Sequence, residues 1–245
     1  MKLHLSSWPE VEAYLKTSRG IVIPIGSTEQ HGPNGLIGTD ALCPEIIAGE
    51  AADAAGFLVG PTFNVGMAQH HLDFPGSMTL RPSTMIAALQ DWITSLVRTG
   101  FDRIYFLNGH GGNITTLNAA FCEFYAEYSL RGEACPVRLT QNNWWQLPGV
   151  MDVCKKHFPV GEGGHATPSE VSVTYYAYPE AIKSVEMHPK IAPSGRFADA
   201  ADFRASFPDG RCGSDPAQAS PEAGARIVEA ARTALVRDVA AFFAS

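Results

Sequence analysis

The 245-residue sequence predicts an α/β layered fold around a largely parallel sheet. Short apolar runs alternate with amphipathic stretches from Ile21 to Thr140. The first of these runs is wholly apolar, as in strands covered on both faces. Gly, Pro and Ser clusters mark the points where strand-like and helix-like stretches hand over to one another.

The elements follow in order. Ile21-Val22-Ile23-Pro24-Ile25 is the first buried strand. Asp40 to Ala55, rich in Ala, Ile and Glu, reads as a helix, and Phe57 to Val65 as a second strand. Ser83 is placed as the N-cap of a helix that Gly100 ends. Its Met85, Ile86, Leu89, Trp92, Ile93, Leu96 and Val97 share one face. Arg103 to Leu107 reads as a strand, Leu117, Phe121, Phe124 and Tyr128 as the apolar stripe of a helix, and Val137 to Thr140 as the next strand.

Asn142 to Gly164 is less regular. It carries two Trp side chains with no evident core role, and reads as a lid or an oligomer contact. Glu170 to Tyr178 reads as a helix and Ala181 to Ala219 as mostly loop. Ser220-Pro221-Glu222 opens a closing helix that carries Ile227, Val228, Ala231, Leu235 and Phe242 toward the core. With no internal repeat and no interdomain linker, residues 1–245 are expected to form one domain.

Composition excludes several functions. A formal net charge of −7, with no basic run longer than Lys155-Lys156, gives no footprint for nucleic acid or for an anionic membrane surface. No segment approaches the roughly 20 apolar residues of a membrane span, and the N-terminus lacks the apolar run of a signal peptide. The five scattered cysteines contain no Cys-x-x-Cys pair and suit free thiols in a reducing compartment. A cytoplasmic location is expected.

Two loops carry the chemistry. Gly26-Ser27-Thr28-Glu29-Gln30-His31-Gly32-Pro33-Asn34, followed by Gly38-Thr39-Asp40, lies just after the first strand. Asn108-Gly109-His110-Gly111-Gly112-Asn113 lies just after another. Loops beyond the carboxyl ends of parallel strands share one edge of the sheet, so these two should meet. Glu29, His31, Asp40 and His110 form a mixed nitrogen and oxygen donor set suited to Zn, Mn or Fe. A single His after a strand is ordinarily a hydrogen-bonded loop residue, and Asp40 alone would pass as a helix cap. The joint placement is what points to metal. A shared Asp40 bridge would leave one of two ions short of an anionic ligand. Gly163-Gly164-His165-Ala166-Thr167-Pro168-Ser169-Glu170 offers a candidate in Glu170, with Ser169 or Thr167 capping the helix that follows.

These motifs resemble the creatininase family of creatinine amidohydrolase-like metalloenzymes. The blocks are Pro24 to Pro33 with Thr39-Asp40, His71-Leu72-Asp73-Phe74-Pro75-Gly76-Ser77, Asn108 to Asn113, Gly164 to Glu170, and Gly213-Ser214-Asp215-Pro216 through Gly224. The resemblance implies a three-layer α/β/α sandwich, two divalent metal ions per subunit (Zn, Mn or Fe) and a homohexamer. By it, Glu29, Asp40 and His110 hold one metal, His31 and Asp40 hold the other, and His165 and Glu170 stand where the family has its catalytic His and Glu. Creatininase itself has a ligating Glu two residues after the His of the third block, where this sequence has Gly112. Glu170 is expected to take that vacancy. The fourth block departs too, having Thr167-Pro168 where members often have Gly and an acidic residue.

The expected activity is hydrolysis of a C–N bond in a small amide, lactam or formamide by a metal-activated water, with His165 or Glu170 moving the proton. If Glu170 binds metal, the proton falls to His165. A peptide-processing or phosphoester metallohydrolase, or an inactive oligomeric family member, is the alternative. No Arg cluster or phosphate-cradling loop lies beside the motifs. Trp144 and Trp145 would cover a flat substrate or pack in a core or subunit interface, and His70-His71 would line the pocket without binding metal.

Overall fold

The sheet of the computed structural model, which describes residues 1–245, has four parallel strands in the order β2-β1-β3-β4. They are β1 (Gly20–Ile25), β2 (Leu58–Val59), β3 (Arg103–Asn108) and β4 (Arg138–Asn143). The helices are α1 (Trp8–Leu15), α2 (Thr39–Ala55), α3 (Pro82–Thr99), α4 (Ile114–Leu130), α5 (Val150–His157), α6 (Pro168–Ala177), α7 (Ala200–Ser206) and α8 (Pro221–Phe243).

Strand side chains alternate between faces, and the core divides accordingly. Ile21, Ile23 and Ile25 of β1 join Ile104 and Phe106 of β3, Met85, Leu89 and Ile93 of α3, and Leu117 of α4. Val22, Tyr105 and Leu107 face the other way, onto Ile47 and Ala51 of α2 and Ile227, Ala231 and Leu235 of α8. Helices on both faces of the parallel sheet make the expected three-layer α/β/α arrangement. No helix is long and apolar enough to cross a membrane, and all five cysteines are unpaired.

Three expectations need correction. The second strand pairs only over Leu58–Val59, not from Phe57 to Val65. The cause lies in β1: Val22 and Pro24 both point their polar backbone toward β2, and Pro24 has no N–H to give. Past Val59 the chain holds on through its own donors, Gly60 N to Val22 O and Phe63 N to Pro24 O. Helix α3 starts two residues earlier than a Ser83 cap would place it: Arg81 is the N-cap, and Pro82 presets the first helical φ. The segment after β4 is mostly ordered structure: Trp144 is 2% exposed in the α2/α8 core and α5 follows. The stretch from Ala181 to Ala219 is mostly loop, as expected, with the short helix α7, capped by Asp199, within it.

Two glycines bring the strand ends onto α2. A Cβ on Gly26, after β1, would lie 2.1 Å from the Asp40 carbonyl oxygen, and one on Gly109, after β3, only 1.9 Å. That carbonyl is free to lodge between them because Pro44, four residues on in α2, has no N–H to return to it. The backbone of Asp40 is thereby pinned at the gap between the two central strands, with its side chain at the sheet's carboxyl edge.

Candidate metal centre

The loop after β1 carries Glu29 and His31, the start of α2 carries Asp40, and the turn after β3 carries His110. All four are at most 6% exposed. Asn108, the last residue of β3, clamps the Gly-His-Gly-Gly turn from both sides. Its Nδ2 donates to the His110 carbonyl at 2.7 Å, and the His110 N–H donates to its Oδ1 at 3.2 Å.

Backbone carbonyls only accept hydrogen bonds, so they assign the ring protons. His110 Nε2 donates to Met67 O at 2.9 Å, which leaves its Nδ1 lone pair facing Asp40 Oδ2 at 2.8 Å. His31 Nδ1 donates to Glu29 O at 3.1 Å, which leaves Nε2 facing Asp40 Oδ1 at 3.0 Å. Each ring thus sets a lone pair against a carboxylate oxygen, which is repulsive unless a cation lies between. Both oxygens of Glu29 and Oδ2 of Asp40 are buried without a hydrogen-bond partner. Burial opposes charging either ring, but the Asp40 carboxylate beside His31, and those of Glu29 and Asp40 beside His110, prevail and raise both imidazoles to about 10. A proton meets the demand for positive charge in the metal-free chain. A divalent ion meets it with the geometry these donors offer.

Three clusters of donor atoms lie within 4.8 Å of one another: Glu29, Asp40 and His110; His31, Asp40 and Glu170; and Glu29, His31 and His165. Glu170 enters through the capping of α6. Thr167 Oγ1 accepts from Glu170 N, and Glu170 Oε1 reaches back to Thr167 N at 2.6 Å, which leaves Oε1 3.9 Å from His31 Nε2. Burial, partly countered by the His31 charge, lifts its carboxyl to about 7.

His165 Nε2 donates to Gln30 O at 2.8 Å, so its Nδ1 carries the lone pair, 3.7 Å from Glu29 Oε1. Burial, reinforced by the positive charge of His31, holds its pKa well below the ordinary value, so the ring is neutral. It is presented by Ala166, a buried non-glycine residue at φ 54, in the left-handed region that L side chains rarely adopt.

Gln30 and Met67 were not singled out in the sequence; Met67 orients the His110 ring, and Gln30 those of His71 and His165. Gln30 Oε1 accepts from Gly32 N, and its Nε2 donates to Gly210 O and to His71 Nδ1 at 2.9 Å. That fixes a proton on His71 Nε2, 3.2 Å from Glu29 Oε1. His71 therefore stands behind Glu29 as a donor, and it is His70 that lines the pocket. A Gln at this point of a Glu-x-His motif was the one available signal.

The donor clusters open into a cavity of about 620 Å³. Its walls include Trp144, Trp145 and Met151 after β4, Glu162 to His165, and the aromatic pair Phe197 and Phe203. Phe197 is 40% exposed and stacks on His70 with ring centroids 4.7 Å apart. No Lys or Arg lines the cavity.

The sequence matches the family model Creatininase, described as creatinine amidohydrolase, over residues 4–239. The chain belongs to the creatininase family. Among curated relatives, the mycofactocin precursor peptide peptidase of Mycolicibacterium smegmatis is 33% identical over 41% of this chain and 42% of its own. The creatinine amidohydrolase of Pseudomonas putida is 31% identical over 44% of each chain. The 3-dehydro-scyllo-inosose hydrolase of Thermotoga maritima is 28% identical over 79% of this chain and 63% of its own. The matches to these relatives thus cover less than two thirds of their length. A solved structure described as creatininase Mn superposes with a TM-score of 0.83 at 24% identity, covering 99% of this chain and 98% of that one, and shows the same fold. Against creatininase, the departure at Gly112 has a steric counterpart. A Cβ there would lie 2.3 Å from His110 Nε2 and 2.6 Å from Met67 O.

Proposed function

We propose that this creatininase-family hydrolase cleaves a C–N bond in a small amide, lactam or formamide, at two divalent metal ions (Zn, Mn or Fe) held around Asp40. The observation that carries the reading is the pair of imidazole nitrogens set against the two oxygens of Asp40, at 2.8 and 3.0 Å. In this reading Glu29, Asp40 and His110 hold one ion, and His31, Asp40 and Glu170 the other. Glu170 replaces the carboxylate that Gly112 lacks. The manganese form of a structural neighbour supports a hard divalent metal.

A divalent cation in such a site polarises a carbonyl oxygen and lowers the pKa of water from 15.7 toward about 7. The chain's own residues do the rest. His165, neutral and with its Nε2 proton committed to Gln30 O, accepts the proton of the attacking water at Nδ1 and returns it to the leaving nitrogen. Glu170 is held by the capping box and contributes charge. Trp145 and Phe197 shield the cavity from bulk water. His71 steadies Glu29 from behind.

Residues 1–245 act as one domain in this reading, in a cytoplasmic homohexamer that closes over exposed apolar side chains such as Trp8 and Leu130. Metal analysis followed by a screen of amides, lactams and formamides against peptides and phosphoesters tests it. Two metals per chain with turnover of the first group supports the reading. Turnover of peptides or phosphoesters alone refutes it.

A further inference from the structure

His165 belongs to no helix or strand. Gly163 stands before it at φ 71 and Ala166 after it at φ 54, so the backbone around it follows no regular path. What holds it is the segment opposite. Cys212 pairs with it in an isolated antiparallel bridge, His165 N donating to Cys212 O and Cys212 N to His165 O, both at 3.3 Å. Ser214 Oγ donates to the same His165 carbonyl at 2.6 Å. Phe203 sets its ring edge-on to the imidazole, with centroids 6.3 Å apart.

Arg211 lies in that segment with its side chain fully buried, and it does not line the cavity. All five of its N–H donors are used. Nε and Nη2 donate to Asp209 Oδ2 at 2.9 and 2.8 Å, and Nη2 also donates to Pro189 O at 2.8 Å. Nη1 donates to Lys190 O at 2.9 Å and to Ser214 O at 3.2 Å. Ala192 N adds a bond to Ser214 O, and Gly213 N one to Pro193 O. Residues 189–193 and 209–214 are thereby laced into the neck of one loop, and Phe203 lies inside it. The body of the loop packs on a small core of its own, Phe74, Phe203 and Phe207, apart from the two sheet cores. With so little apolar burial, its order depends on the neck. The Arg211 stem also reaches the metal centre: a Cβ on Gly32, next to His31, would lie 2.8 Å from Arg211 Cγ.

We propose that Arg211 positions His165. By fixing the neck it holds Cys212, Ser214 and Phe203 in register, and through them the His165 ring, with its Nε2 proton on Gln30 O. That the ring carries a proton in turnover rests on the hydrolase reading; its placement does not.

The test is nitrogen NMR of isotope-labelled histidine rings in the zinc-loaded protein, with His165→Asn identifying the His165 signals. Wild type is expected to show one neutral tautomer, protonated at Nε2. Arg211→Met keeps an unbranched stem against Gly32 and removes the donor fork. It should average the His165 signals between two tautomers and speed exchange of the Nε2 proton with water roughly tenfold, the worth of one hydrogen bond. Zinc per chain should not change. Arg211→Lys, which keeps the charge with three donors in place of five, should recover part of the wild-type signal. Leu89→Ala lowers the melting temperature through a cavity in the α3 core, and should leave the His165 signals unmoved. Should Arg211→Met not fold, Arg211→Lys carries the test and must itself shift the His165 signals. Unmoved signals in the Arg211 variants, equal movement in Leu89→Ala, or loss of zinc alongside the signals overturns the proposal. Since no turnover is read, a failed amide screen would refute the hydrolase reading and leave the placement of His165 to be judged on its own.

Discussion

The Nε2 of His110 occupies the space that a side chain at Gly112 would need: a Cβ there would stand 2.3 Å away. The hydrogen bond from that nitrogen to Met67 O runs through the same space, and it is the bond that turns the Nδ1 lone pair toward Asp40. A carboxylate at position 112 and this setting of His110 are mutually exclusive. Gly112→Glu should therefore fail to install the creatininase ligand. It should displace the His110 ring, empty the cluster of Glu29, Asp40 and His110, and cost about 1–3 kcal/mol or more in overpacking. Metal content per chain and thermal melting check both effects. Two metals and an unchanged melting temperature would refute the steric argument.

Asp40 faces both histidines, one with each oxygen, whereas His31 faces only one side of it. Asp40→Ala should abolish metal binding altogether, and His31→Ala should lower the stoichiometry from two toward one. Asp40→Ala leaves the Asp40 carbonyl between Gly26 and Gly109 in place, so circular dichroism should report an intact fold. Full metal occupancy in Asp40→Ala would end the bridging assignment.

The loops that hold these groups were readable because chemistry and backbone signals coincide in them. Glu29, His31, Asp40 and His110 each stand between a strand end and a glycine-bounded bend, and parallel strands send such bends to one edge. The contacts that orient them were not readable. Met67 acts through its carbonyl, which no residue type advertises, and Gln30 acts through three partners distant in sequence. The shortened β2 had the same origin: Phe57 to Val65 looks like a strand until Pro24 on the neighbouring strand withholds a donor. Trp144 and Trp145 show the limit of pattern alone. Adjacent and identical, both border the core and the cavity, but Trp144 is 2% exposed and Trp145 only half-buried, and the turn after β4 decides which.

Metal and proton compete for the same lone pairs, so pH should govern occupancy. His31 and His110 rise from 6.5 to about 10 in the metal-free fold, against burial and in favour of the neighbouring carboxylates. A raised folded pKa contributes stability that is complete below about 6.5 and lost as pH climbs through about 10. Seen from Asp40, whose carboxyl is held well below its ordinary 3.8, the same pairing lasts above that value and fails only in stronger acid. The metal-free protein should thus lose melting temperature between pH 7 and pH 10. Metal affinity should move the other way, strengthening with pH as each ring gives up a proton. Calorimetry in buffers of different ionisation enthalpy would count the protons released. A metal affinity flat from pH 6 to 9 would show that these rings are not ligands.

In the proposed mechanism Glu170 and His165 divide the remaining work, and one pair of variants separates them. Glu170 Oε1 accepts from Thr167 N in a capping box, a role that glutamine performs as well as glutamate. Glu170→Gln therefore preserves the start of α6 and removes only the negative charge near His31, so any loss is electrostatic. It should weaken one of two metals and cut turnover severely, with little change in melting temperature. His165 lies in a donor cluster too, yet its Nδ1 is the base that no backbone group engages. His165→Asn should leave both metals bound and lower kcat by roughly 10²- to 10⁴-fold, the usual worth of a positioned acid–base group. It should also remove the limb of the pH–rate profile that this ring supplies. If Glu170→Gln kept two metals and near-normal turnover, Glu170 would be a capping residue alone. If His165→Asn lost a metal, the third cluster of Glu29, His31 and His165 would be a ligand set and the proton would need another carrier.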